Sequence, residues 1–173
     1  ALFCRGEGHQ YEAFAGQKKV IHVLDWACRS QKRVTRSTFS AYLLVAGDAI
    51  YQGILISHMI HELDKGPMPA SEARGRRLSG GYIPIALYLD AKSVFAAITA
   101  TFIKQPADKS LVCDAQYIRE LLDNNVLLYL VCLDTRDMGA DWLSKGALSR
   151  DLYIRSWQGT CISIIRMSSG NGR

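Results

Sequence analysis

The chain has 173 residues, 49% of them hydrophobic and 21% charged, with a net charge of +5. This is enough chain for one domain with a real core, and the apolar content argues against a disordered or fibrous protein. Five cysteines with no Cys-x-x-Cys pair argue against a zinc site or disulfide frame, and the positive charge permits a polyanionic partner without demanding one.

No continuous apolar run approaches the roughly 18 residues of a membrane span. The scattered cysteines read as free thiols of an intracellular protein, cytoplasmic or nuclear. A start at Ala1 reads as a piece of something longer.

In chain order, 1–17 is weakly patterned. Cys4-Arg5-Gly6-Glu7-Gly8 reads as a turn and Tyr11–Ala15 as an edge strand. Lys18–Trp26 predicts a strand rich in β-branched residues, with Val20, His22 and Leu24 facing one way and Ile21, Val23 and Asp25 the other. A basic connector follows, holding Arg29, Lys32, Arg33 and Arg36. Ser37 or Thr38 then caps a long helix over Phe39–Leu63. Its expected stripe is Phe39, Leu43, Ala46, Ile50, Ile54, Met59 and Leu63, widened by Leu44, Leu55 and Ile60.

Lys65–Gly81 holds two prolines, four glycines and the cluster Arg74, Arg76, Arg77, and predicts a mobile loop. Ile85–Leu89 predicts a strand buried on both faces and ending at Asp90, with a helix over Ala91–Thr101. Lys104–Lys109 is a joint. Ser110–Asn124 is an amphipathic helix with Leu111, Ala115, Ile118, Leu121 and Leu122 on its apolar side, stopped by Asp123-Asn124-Asn125. Val126–Leu133 is a strand, and Ala140–Leu148 a short helix opened by Asp141. The order predicts an α/β sheet flanked by helices, with one domain over 1–150 and a frayed tail over 151–173.

Five segments carry a resemblance. They are Leu24-Asp25-Trp26-Ala27-Cys28-Arg29-Ser30-Gln31-Lys32, Val34-Thr35-Arg36-Ser37-Thr38-Phe39-Ser40-Ala41, Leu87-Tyr88-Leu89-Asp90-Ala91-Lys92-Ser93, Tyr117-Ile118-Arg119-Glu120 and Ala140-Asp141-Trp142-Leu143-Ser144-Lys145-Gly146-Ala147-Leu148. In this order they resemble the RNase H domain that ends copia-type retrotransposon polyproteins, from about Val20 to Leu148. The last, similar to "A-D-x-L-T-K-x-L", is the most specific.

The resemblance implies an RNase H-like fold, a mixed sheet with helices on both faces, here lacking or truncating the first strand. It implies descent from enzymes that cut the RNA strand of an RNA–DNA hybrid. In these, four carboxylates hold two magnesium ions, with manganese an alternative. Its implied partners are hybrid or other nucleic acid and the reverse transcriptase portion of the same polyprotein, with no membrane.

Carried over by residue, only Asp90 and Asp141 match as catalytic metal ligands. Tyr42 stands where the helix acid should follow Ala41, and a phenol that titrates near about 10 cannot replace a carboxylate there. The first-strand acid has no counterpart, and Ser110 and Gln116 stand where the family tends to carry His. The resemblance therefore implies a degenerate nuclease that binds metal weakly. Its alternative is a non-catalytic nucleic-acid-binding or reverse-transcriptase-associated module.

Each candidate has a plainer reading. Asp90 suits a helix N-cap, and Asp141 a first-turn acid favoured by the helix dipole. Asp25 reads better as a solvated or ion-paired acid than as a third ligand. Asp48 is poorly placed to replace the acid lost at Tyr42. His58 and His61 read as helix-surface histidines, since no third ligand is evident. Arg29, Lys32, Arg33 and Arg36 suit either phosphate contact or a solvated turn, and Lys145 either phosphate contact or a helix cap. Arg74, Arg76 and Arg77 read as solvated.

Overall fold

The computed structural model describes residues 2–6, 21–27, 34–100 and 109–133. The chain divides into two compact units, Gln31–Cys132 and a second made of Ala1–Ser30 with Leu133–Arg173. Tyr11–Ala15, the 104–108 joint, the Ala140–Leu148 helix and the 151–173 tail lie outside the described residues.

In the second unit, β1 (Leu2–Gly6) pairs antiparallel with β2 (Ile21–Trp26). The turn expected over Cys4–Gly6 is thus part of a strand. The pairing partner lies some twenty residues away, so no local pattern announces it. Phe3 stands opposite Asp25 and Cys4 opposite Val23, so Leu24 is the extra residue of a bulge. The bulge breaks the two-residue alternation expected along β2, and Leu24, Asp25 and Trp26 are all exposed.

The larger unit is built on α1 (Thr38–Lys65). The Ser37 hydroxyl accepts the Ser40 amide at 3.1 Å, satisfying one orphan donor of the first turn. Leu43, Ala46, Ile50, Ile54 and Ser57 form the buried stripe. The expected continuation through Met59 and Leu63 is overturned, because both are exposed. At that end the inward position falls to Ser57, whose hydroxyl accepts the Ile83 amide at 3.1 Å and donates to the Ile83 carbonyl at 3.3 Å. A buried hydroxyl bonded in both directions costs little, so a polar residue can continue an apolar stripe. α1 is long and apolar enough to cross a membrane by length and composition only, with Asp48 the one charge between Thr38 and His61. The helix is not a continuous apolar run, and its buried stripe is engaged in the core.

The predicted loop over Lys65–Gly81 contains a helix, α2 (Ala70–Leu78). Proline and glycine flank this segment, but its interior is Ala, Ser, Glu and Arg with only Gly75 unfavourable. Pro69 stands at the N-cap, where its missing N–H is no loss. Glu72 in the first turn and Arg76 and Arg77 in the last complement the helix dipole, and Glu72 pairs with Arg76 at 3.1 Å. The Tyr82 hydroxyl donates to the Ala73 carbonyl at 2.6 Å, holding α2 against the start of the next strand.

β3 (Ile85–Leu89) runs parallel to β4 (Leu127–Cys132), and α3 (Lys92–Thr99) and α4 (Ser110–Asp123) make the crossover between them. Parallel neighbours require such a connection. Helix α4 ends with Asn125 at φ 57°, the Val126 amide donating to Leu121 and the Asn125 amide to Leu122, the two bonds of a Schellman motif. Gly80 and Gly81 pass beside that turn, where the Gly80 amide reaches the Asn124 carbonyl at 2.7 Å.

Leu43, Ile50, Val94, Ile98, Leu111, Ile118, Leu121 and Leu127 lie in one core, with Ile85, Leu87, Leu89 and Leu130 packed against it. β3 was expected to be buried on both faces, yet all five residues are half-buried. Its described ladder has a single neighbour, β4. The architecture is α/β, with a small parallel sheet packed against helices and a separate antiparallel pair.

Candidate functional site at the tip of the parallel strands

Parallel pairing puts the C-terminal ends of β3 and β4 at the same rim, with Leu89 opposite Cys132. Asp90 follows Leu89 directly, half-buried, and α3 opens two residues later. The strand ends there because Lys92–Thr99 has an apolar face, Val94 and Ile98, that must reach the core. Carboxyl ends of parallel strands are where open α/β sheets present polar groups to ligands.

Asp90 is not the helix cap that its position suggests. Ala91 occupies the N-cap and supplies no side-chain hydrogen bond. The Asp90 carboxylate is therefore not spent on the first turn of α3. Its negative charge acts on the Cys132 thiol across the rim. The Cys132 thiol is pushed above its ordinary value, chiefly by burial; the positive charge of Lys92 opposes this and the negative charge of Asp90 adds to it. Cys113 and Cys132 are thiols, not disulfide halves.

Magnesium takes several hard oxygen ligands in near-octahedral geometry. Among the described residues no group of three His, Cys, Asp or Glu side chains could hold a metal ion. Asp141, the second expected ligand, lies outside the described residues, as do Arg29, Lys32, Arg33 and Lys145. The structure thus describes one end of the expected Asp90–Asp141 pairing.

The other candidates separate. Tyr42 is on α1 and 47% exposed, and Asp48 lies exposed on the same helix. Asp25 is exposed and accepts the Trp26 amide at 2.8 Å, in keeping with a solvated acid. Arg36 is exposed at the bend before α1, and Arg74 and Arg77 are exposed on α2.

His58 is more than a surface residue. Its ring stacks on Tyr82 with centroids 4.4 Å apart, and its Nε2 lies 3.3 Å from Glu62 Oε1 without hydrogen-bonding geometry. His61 tilts against the same tyrosine ring at 6.3 Å. Both histidines serve the packing of α1 against Tyr82. The Tyr82 aromatic ring, next to the glycine pair, was the available signal for that contact.

One role went unread in the sequence. Arg119, in the Tyr117–Glu120 segment, donates from Nε to the Ile98 carbonyl at 2.6 Å and from Nη2 to the Ala97 and Ala100 carbonyls. These are the orphan carbonyls at the C-terminus of α3, so the guanidinium caps that helix. An arginine on an amphipathic helix, facing a neighbouring helix end, was the available clue.

Comparison with protein-family models, curated proteins and solved structures finds no match to this chain.

Proposed function

We propose that the chain is an RNase H-like module of a copia-type retrotransposon polyprotein, derived from a magnesium-dependent ribonuclease, which engages RNA–DNA hybrid and has lost efficient cleavage. The observation that carries this reading is the position of Asp90. It is a carboxylate at the C-terminal tip of a parallel strand, free of any capping duty and followed at once by a helix. The resemblance assigns a catalytic acid to that position.

Two further features support the reading. The described strands are an antiparallel pair and a parallel pair, both strand relationships that the family's mixed sheet contains. Tyr42, in place of the helix acid, leaves the expected metal site one carboxylate short and accounts for lost cleavage. Arg36, exposed at the start of α1, and the basic connector before it offer phosphate contacts.

The test is one gel-shift and cleavage experiment on a labelled RNA–DNA hybrid, with magnesium or manganese. The chain should bind hybrid, lose binding steeply as salt rises, and cut little or not at all. Tyr42→Glu should raise cleavage above the parent, and Asp90→Asn should abolish that gain. No hybrid binding at low salt, or cleavage indifferent to Asp90→Asn, would sink the proposal.

A further inference from the structure

The three arginines of α2 are not alike. Arg76 is half-buried and paired with Glu72 at 3.1 Å. Arg74 and Arg77 are exposed, and neither makes an ion pair among the described residues. They stand three residues apart on one side of the helix, with roughly 5–6 Å between their Cβ atoms. The Arg77 guanidinium lies over the ring of Tyr51 on α1, 5.4 Å from its centroid. That contact orients the planar fork and leaves it exposed. The Tyr51 ring is itself 47% exposed. Tyr82 bonds the Ala73 carbonyl and stacks on His58, so α2 is held against α1 and the patch is built in advance.

We infer that Arg74, Arg77 and Tyr51 bind a single strand of nucleic acid. The two guanidiniums take neighbouring phosphates, and the tyrosine ring stacks an unpaired base. The combination selects the occupant. A strand carries phosphates and flat rings in alternation, whereas an anionic bilayer offers the charge without the rings. A duplex keeps its bases stacked inside and presents none to Tyr51. The net charge of +5 favours the encounter. Of the acids nearby, Glu72 is spent on Arg76, and Asp48, one turn before Tyr51, bounds the patch at that end. The surface lies on α1 and α2, whereas Asp90 is at the tip of β3, and the inference does not rest on the nuclease reading.

Fluorescence anisotropy of the whole chain with labelled oligothymidylate tests it. The parent should bind at about 50 mM salt, and Arg74→Gln with Arg77→Gln should weaken binding by roughly twentyfold and make the salt slope shallower by about 1.4. Lys109→Gln, a charge removed at the start of α4, should change affinity by less than about twofold. Tyr51→Leu should weaken binding by about tenfold, yet an abasic strand of the same length should bind parent and Tyr51→Leu alike. Far-ultraviolet circular dichroism should match the parent in every variant. Four results would overturn the inference: no binding of the strand at low salt, equal losses from the arginine pair and Lys109→Gln, a Tyr51→Leu loss as large on the abasic strand, or competition by phosphatidylserine vesicles as strong as by unlabelled strand. A blunt RNA–DNA hybrid is the counter-probe. Its binding should survive the arginine substitutions, and equal loss on hybrid and strand would overturn the single-strand assignment. Failure of the parent to bind hybrid, with strand binding intact, would sink the nuclease reading and support this separate site.

Discussion

Arg119 Nε lies 2.6 Å from the carbonyl oxygen of Ile98 and ties the middle of α4 to the last turn of α3. The guanidinium is half-buried and also bonds the Ala97 and Ala100 carbonyls. Hydrogen bonds from a charged donor contribute about 1.5–3 kcal/mol, and the carbonyls they leave are partly shielded from water. Arg119→Met keeps the aliphatic stem and removes the donors. Its urea-unfolding free energy should fall by about 2 kcal/mol. Arg119→Lys should recover only part of this, since an ammonium lacks the planar fork that spans several carbonyls.

A second prediction concerns Ser57, the buried hydroxyl where the inward stripe of α1 meets Ile83. Ser57→Ala leaves the Ile83 amide and carbonyl without that partner. The loss should be about 1–2 kcal/mol in urea unfolding. Ser40→Ala, at the helix start, should cost less, because the Ser40 amide keeps its bond to Ser37. A Ser57→Ala cost no larger than that of Ser40→Ala would show that the bonds at Ile83 contribute nothing net.

Local chemistry decided which parts of this fold could be read from sequence. The boundaries of α1, α4 and β4 fall within two residues of expectation, because Ser37 and the Asp123–Asn125 stop act on their own neighbours. Four of the five residues expected to be apolar on α4 are buried, since a single 3.6-residue period governs its face. Strand β1 was unreadable, because its structure lies in pairing with Ile21–Trp26 and not in its own pattern. Helix α2 was hidden by the prolines and glycines that bound it. At the site, the place of Asp90 at a strand tip was legible from Ile85–Asp90. That Ala91, and not Asp90, holds the N-cap was not, because the backbone's turn into α3 is set by packing of Val94 and Ile98.

Two glycines of similar appearance should respond oppositely to alanine. Gly75 lies inside α2 with nothing within 4 Å of where a Cβ would stand. Gly75→Ala should stabilise by about 0.4–1 kcal/mol through helix propensity and a less flexible unfolded chain. Gly81 has φ +65°, and a Cβ there would stand 3.4 Å from both Cα and O of Val126. Val126 leads directly into β4, so the contact is close but ordinary, and the cost lies in holding a side chain at a left-handed φ. Gly81→Ala should destabilise by about 1–2 kcal/mol. Thermal melts of the two variants beside the parent should shift in opposite directions.

The Cys132 thiol gives the rim of the parallel strands a measurable pH response. Burial raises its pKa above the ordinary 9.0, Lys92 works against the rise and Asp90 adds to it. At mildly alkaline pH the thiolate is the alkylating species, so Cys132 should react with iodoacetamide more slowly than exposed Cys113 when peptides are followed by mass spectrometry. Lys92→Met should slow Cys132 further, and Asp90→Asn should speed it; the reverse order would show that these charges do not face the thiol. The sign for stability follows from linkage. The fold favours the protonated thiol, so this group leaves stability untouched below its unfolded pKa and lowers it as pH rises from there through the higher folded value. Urea midpoints should therefore fall as the pH rises above the ordinary thiol range, about 8.5. Cys132→Ser, which does not titrate in this range, should flatten that fall, whereas Cys113→Ser should leave it in place.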